Sequence, residues 1–171
     1  MAVSFGLLVI RVIIGLTLAA HGSQKLFGWF GGGGLPLTAQ MFDRMGYRPG
    51  NVMAILAGLG EVGGGVLLAL GFFTPLAAAA GMGVMLNAIV SVHLSKGFWS
   101  SKGGYEFPLA IAAVFAGIGF TGPGRYSLDA AIGWHQASWV WGLAALLVAV
   151  AAGLGTLAIR SRAMRTAGQA S

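Results

Sequence analysis

The chain has no cysteine, which excludes a dithiol redox centre, a Cys-ligated metal and a structural disulfide. The same absence leaves cysteine usage silent on the redox compartment. Charge is nearly as scarce. Lys and Arg number ten and Asp and Glu four among 171 residues, 8% in all, where a soluble domain carries about 25%. So few charges cannot cover a water-facing surface of this size, and 57% of the residues are hydrophobic. Acidic residues are scarcest, and the formal net charge is +6. No basic stripe lies on a polar segment, so nucleic acid is not an expected partner. The excess reads instead as topology, with basic loops held on one side of a membrane.

What the chain does have is long apolar runs. Five stand out: residues 3–20, 52–73, 76–94, 107–120 and 139–159. A membrane-spanning helix needs about 17–25 residues, so the fourth run is short. The first run lacks a basic residue before Val3 and is interrupted by Arg11, so it is expected to be a retained span and not a cleaved signal peptide. Thirty glycines suit helices that approach closely in lipid. Phe72–Phe73–Thr74–Pro75 is a tight break that makes the second and third runs antiparallel neighbours. The expected fold class is all-α: a polytopic transmembrane helical bundle with a four-helix core and a fifth C-terminal span. The core covers residues 1–129, and residues 130–171 form an extra helix with a basic tail.

Basic residues set the orientation. Lys25, Arg44 and Arg48 fall in or beside the first loop, Lys96 and Lys102 in the third, and Arg160, Arg162 and Arg165 in the tail. With five spans these segments share one side, and Arg125 stands alone on the other. Four or six spans would scatter them. The positive-inside rule then places the N-terminus outside and the C-terminus in the cytoplasm of a multi-pass cell-membrane protein. Trp29, Trp99, Trp134 and Trp139 fall near the expected interfaces. In the first loop, residues 27–50, Leu37, Met41 and Met45 recur at four-residue spacing, the pattern of a short interfacial helix. Gly31 to Gly34 reads as a flexible hinge, because no Lys-Ser/Thr follows to make a phosphate loop.

Arg11 and Glu61 are the informative charges. Counted from the ends of the first two runs, their depths agree within a few Å, so they are expected to pair. A buried ion pair that fixes helix register and a polar pocket for a ligand or proton both fit. On the first helix, Arg11, Gly15, Leu18, His21 and Lys25 are assigned to one face. Asn87 and His93 lie toward the inner end of the third run, and Tyr105 and Glu106 precede the fourth. His21, Lys25, His93, Tyr105 and Glu106 therefore gather near one leaflet, as candidates for a proton relay or ligand pocket. No close-spaced ligand motif supports a metal. Gly60 and Gly64 have the GxxxG spacing of tight helix packing; a dinucleotide fingerprint is excluded because no strand precedes it. His135 reads as a plain surface residue.

These residues carry a family resemblance. Arg11 followed by His21–Gly22–Ser23–Gln24–Lys25–Leu26–Phe27–Gly28 resembles the opening motif of the DoxX family. Glu61–Val62–Gly63–Gly64 with Leu70–Gly71 is similar to its second-helix motif. Asn87, His93, Lys96, Gly97, Tyr105 and Glu106 resemble its third-to-fourth helix segment. The match runs from about Ser4 to Asp129. The resemblance implies four membrane helices, which makes the fifth span and basic tail additions. It also implies a link to quinone-coupled sulfur oxidation, as the small subunit of thiosulfate:quinone oxidoreductase, or to oxidative-stress defence. The implied cofactor is a quinone and nothing covalent. The expected partners are membrane lipids, soluble redox enzymes on the cytoplasmic face and a second copy of the chain. The alternatives are a non-catalytic scaffold for such enzymes and a small-molecule permease.

Overall fold

A computed structural model describes residues 1–168, and among them no strand occurs. Four helices are long and apolar enough to cross a membrane: α1 (Ala2–Phe27), α3 (Gly50–Leu70), α4 with its extension (Thr74–Lys96) and α7 (Trp139–Gly168). The shorter α5 (Glu106–Thr121) is also apolar. Its sixteen residues span about 24 Å, less than the hydrocarbon core of about 30 Å. The short helices α2 (Gly34–Arg44) and α6 (Leu128–Ala131) lie in the first and last connections. The expected interfacial helix is α2, with Leu37 and Met41 exposed and Thr38 buried against the bundle.

The chain folds as successive antiparallel neighbours. Helix α1 packs on α3, α3 on α4, and α4 on both α5 and α7. The α1–α3 seam is backbone against backbone. A Cβ on Gly15 would strike the Gly65 carbonyl, and one on Gly65 would strike the Gly15 carbonyl. One turn-pair further along, Gly22 lies against the Gly58 carbonyl and Val62. Without water to expel, this close approach supplies the dispersion contact that holds helices together in lipid. Gly60 and Gly64, which the sequence pattern marks for tight packing, face α4 with looser contacts to Val84 and Ala80. The close positions on α3 are seven apart, Gly58 and Gly65, because that spacing keeps pace with α1.

The break after α3 is built as expected. Gly71 caps it at φ 60°, and Phe72 N–H donates to the Leu67 carbonyl at 2.9 Å. Thr74–Pro75 then opens α4, proline falling where a helix has no need of its N–H. Between Ala88 and Leu94 the helix widens into one π turn, Ile89–His93. The core beneath is made of small residues and a few large ones: Leu18, Leu68, Ala77, Ala78, Met82, Ile111 and Phe115. Helix α7 joins it through Ala145 and Ala149.

The bundle has two ends. At one, the first loop, the 94–105 connection and the end of α7 meet: Arg160 Nε donates to the Met45 carbonyl at 2.7 Å, and Gly46 lies against Met164. The basic residues gather here. At the other end, the α3–α4 turn meets the connection between α5 and α7.

Candidate functional site

Two polar clusters interrupt the apolar bundle. They do not include the expected Arg11–Glu61 pair. Arg11 lies level with Gly71, whose Cβ position would collide with the guanidinium. Glu61 is ten residues earlier on α3, about 15 Å along its axis. The depth arithmetic fails because α1 does not stop at residue 20. It runs on to Phe27, so its polar lower third reaches the level of Glu61 and Arg11 stays behind.

The first cluster closes the end opposite the basic loops. Arg11 is fully buried and donates from Nη2 to the Tyr126 carbonyl at 2.5 Å. It sits beside the C-terminus of α3, where the helix dipole favours a cation. Asp129, also fully buried, accepts from Phe73 N–H at 2.9 Å and from Thr74 N–H and Oγ1 at 3.0 and 2.7 Å. Phe73 is held at φ 45°, a strained conformation for an aromatic residue, and Asp129 pins it. The Asp129 N–H in turn donates to the Gly71 carbonyl at 2.9 Å. Sequence reasoning missed Asp129. Its available signal was Ser127, which precedes it and caps α6 by accepting from Ala130 N–H at 3.2 Å.

The second cluster is Lys25 and Glu61. Lys25 Nζ donates to both oxygens of Glu61, which is 5% exposed. Of the chain's four carboxylates, three accept backbone N–H groups. Asp129 does so as above, Asp43 takes Gly50 N–H at 2.8 Å, and Glu106 takes Ser100 N–H at 2.9 Å. Glu61 alone has no backbone partner and faces a side-chain cation. The α1 face that meets α3 is Arg11, Gly15, Leu18, Gly22 and Lys25. His21, expected on that face, is exposed on its flank. Each pair 11/18 and 18/25 is seven apart and 22 falls between 18 and 25, whereas 21 is one step of about 100° off Gly22.

Lys25 and Glu61 open onto a cavity of about 450 Å³ that is mostly apolar. A volume of this size lies within the range of about 300–1,000 Å³ typical of small-molecule sites. Met41 and Met45 close it from the α2 side, and Gly60 and Val84 line its α3 and α4 walls. Gly153 and Thr156 of α7 complete it. Two further candidates from the sequence, Asn87 and His93, line it as well. His93 Nδ1 lies 2.6 Å from the Gly103 carbonyl. A carbonyl only accepts, so Nδ1 carries a proton, and Nε2 is an acceptor in the neutral ring. Asn87 belongs to a hydrogen-bonded group the sequence did not announce. Tyr47 donates to Asn87 Oδ1 at 3.0 Å, Thr156 Oγ1 donates to the same oxygen at 2.8 Å, and Ser91 shares a 2.5 Å hydrogen bond with the Tyr47 hydroxyl. Arg160 lies over the Tyr47 ring at 5.8 Å.

The remaining candidates stand apart. Tyr105 and Glu106 do not line the cavity. Tyr105 packs edge-on against Phe98 at 5.5 Å, and Glu106 ties down Ser100, so both shape the 94–105 connection. The cavity thus collects Lys25, Glu61, Asn87 and His93, and leaves Arg11, His21, Tyr105 and Glu106 outside.

Residues 6–94 match the family model described as DoxX. The chain is similar to the inner membrane protein YphA of Escherichia coli strain K12, with 30% identity over 132 residues, 72% of this chain and 87% of that protein. It is also similar to the inner membrane protein YqjF of the same organism, with 29% identity over 126 residues, 72% of this chain and 89% of that protein. No solved structure matches. Lys25, Glu61, Asn87 and His93 all fall within the matched stretch. The chain belongs to the DoxX family and is a multi-pass integral membrane protein.

Proposed function

We propose that the cavity binds the headgroup of a membrane quinone, and that the protein is the membrane subunit of a quinone-linked redox system. The observation that carries this reading is the Lys25–Glu61 pair on the wall of a largely apolar cavity. An isolated pair sealed in lipid is costly and needs no cavity; one facing an apolar cavity can exchange its contacts for those of a ligand. A quinone headgroup offers carbonyl acceptors on an apolar ring. Lys25 has the charge to donate to such an oxygen, and Glu61 and His93 are placed to hold or pass a proton. The chain supplies binding, orientation and proton handling. Electrons come from a redox partner, for which the exposed basic end is the docking face. Direct titration of purified protein with short-tailed menaquinone and ubiquinone analogues tests this. Lys25→Met should weaken binding about tenfold or more, the effect of a charge-assisted hydrogen bond. Absence of binding by the wild-type protein, alone and with its redox partner, overturns the reading.

In this reading the protein lies in the cell membrane with its basic end inside. The lack of native cysteine makes the test simple. A cysteine introduced at Ser101 should be protected from impermeant reagents in intact cells, and one at His135 should be labelled. The reverse pattern overturns the orientation.

A scaffold that recruits soluble redox enzymes is a second reading, supported by exposed Arg44, Arg48, Lys96, Lys102 and Arg162 at one end. It predicts a specific soluble partner whose recovery is lost when those loops are neutralised, with Lys25→Met without effect.

A further inference from the structure

The cavity has two polar walls, and they belong to different helix pairs. Lys25 and Glu61 come from α1 and α3, which pack on each other. Asn87 and Thr156 come from α4 and α7, which likewise pack on each other. Apolar residues, among them Ala57, Ala80 and Val84, line the same cavity. Each wall retains one unclaimed donor. Lys25 carries three N–H bonds, two of which go to the two oxygens of Glu61, leaving one. Asn87 Nδ2 carries two N–H bonds, one of which goes to the Gly83 carbonyl at 3.0 Å, leaving one.

The orientation of the Asn87 amide is not free. Its oxygen receives both the Tyr47 hydroxyl and the Thr156 hydroxyl. Flipping the amide would set Oδ1 against the Gly83 carbonyl, two acceptors facing each other. Tyr47 is itself 5% exposed, held beneath Arg160 and bonded to Ser91. Thr156 Oγ1 also lies 3.1 and 2.9 Å from the Ala152 and Gly153 carbonyls of its own helix, and its single proton serves one acceptor at a time. The Gly83 carbonyl, which only accepts, sets the direction of the amide, and the Tyr47 and Thr156 hydroxyls hold its oxygen in place.

We infer that the cavity recognises a ligand with two hydrogen-bond acceptors on opposite edges of one apolar ring, as in a 1,4-dione, with Lys25 binding one and Asn87 the other. Tyr47 and Thr156 are positioning residues for the second contact. Thr156 makes α7 part of the specificity apparatus. The inference rests on the reading of the cavity as a quinone-headgroup site and adds the second contact point to it.

The test compares two probes on the full-length protein in lipid nanodiscs: 1,4-naphthoquinone, and 1-tetralone, a fused ring of the same size bearing one carbonyl. Binding is measured by calorimetry. The dione should bind about tenfold more tightly, the value of one added hydrogen bond in a desolvated site. Thr156→Val should bring the dione close to the level of the monoketone, weakening the dione more than the monoketone. Thr156→Ser, which keeps the hydroxyl, should restore the difference. Asn87→Leu should act as Thr156→Val does, with folding checked by thermal unfolding. Equal binding of both probes by the wild-type protein overturns the inference while the headgroup site stands. Equal weakening of both probes by Thr156→Val does the same, because it marks a general packing effect. If neither probe binds, both the inference and the quinone reading fall.

Discussion

The two polar clusters differ in what their charges face. At the Arg11 end, the carboxylate of Asp129 is occupied by the α3–α4 turn, holding a strained Phe73 and the first N–H of α4. At the Lys25 end, the carboxylate of Glu61 touches no backbone, and its partner opens onto the apolar cavity. Buried charge is expensive in a membrane in either place. The Asp129 carboxylate recovers that cost by fixing the turn, although Arg11 beside it keeps only the Tyr126 carbonyl and leaves Nε and Nη1 without a partner. The Glu61 carboxylate is satisfied by a side chain alone, and on the proposed function that side chain is the group a ligand can engage.

The comparison is broken most sharply by Asp129→Ala. It removes the acceptor of three hydrogen bonds and leaves buried Arg11 without its nearby carboxylate, so a loss of about 3–5 kcal/mol is expected. Thermal unfolding in detergent measures this, and the folded fraction should still bind naphthoquinone with wild-type affinity. Lost binding at unchanged stability would reverse the roles of the two ends. Gly65→Ala comes next, at about 1–3 kcal/mol, because its Cβ meets the Gly15 carbonyl across the seam. Glu61→Gln should cost less than about 1 kcal/mol, since Lys25 is 25% exposed and its long stem can carry the ammonium toward the interface. Its signature is a loss of quinone-analogue binding from a protein that unfolds near the wild-type temperature. A destabilisation as large as that of Asp129→Ala would make Glu61 a structural charge as well. His21→Ala, on an exposed flank, should change stability by less than about 0.5 kcal/mol and leave binding intact.

Much of the fold is legible in the sequence because lipid allows few solutions. Scarce charge, five apolar runs and the Thr74–Pro75 break are enough to specify the helices and their hairpins. The site is legible only in part. Lys25, Glu61, Asn87 and His93 are polar residues in apolar surroundings, which makes them visible. Which charge pairs with which is a matter of helix register, and register depended on where α1 ended. The run of His21, Ser23, Gln24 and Lys25 lies beyond the apolar stretch by hydropathy, yet it continues as helix to Phe27 within the bundle. Tyr47 and Thr156 escaped notice for another reason. One sits in a connection and the other in a span that looked like an addition, and only tertiary packing brings them to Asn87. Asp129 escaped because a single carboxylate in a four-residue helix resembles an ordinary surface residue.

The composition of the cavity wall has a consequence for engineering. Lys25, Glu61 and Asn87 lie within the stretch that matches the family model, residues 6–94, while Gly153 and Thr156 lie beyond it. A cavity divided this way can be reshaped from one side. On the proposed function, substitutions along a single face of α7 tune ligand preference while the ionic pair remains in place, and the C-terminal helix is the adjustable wall of the site.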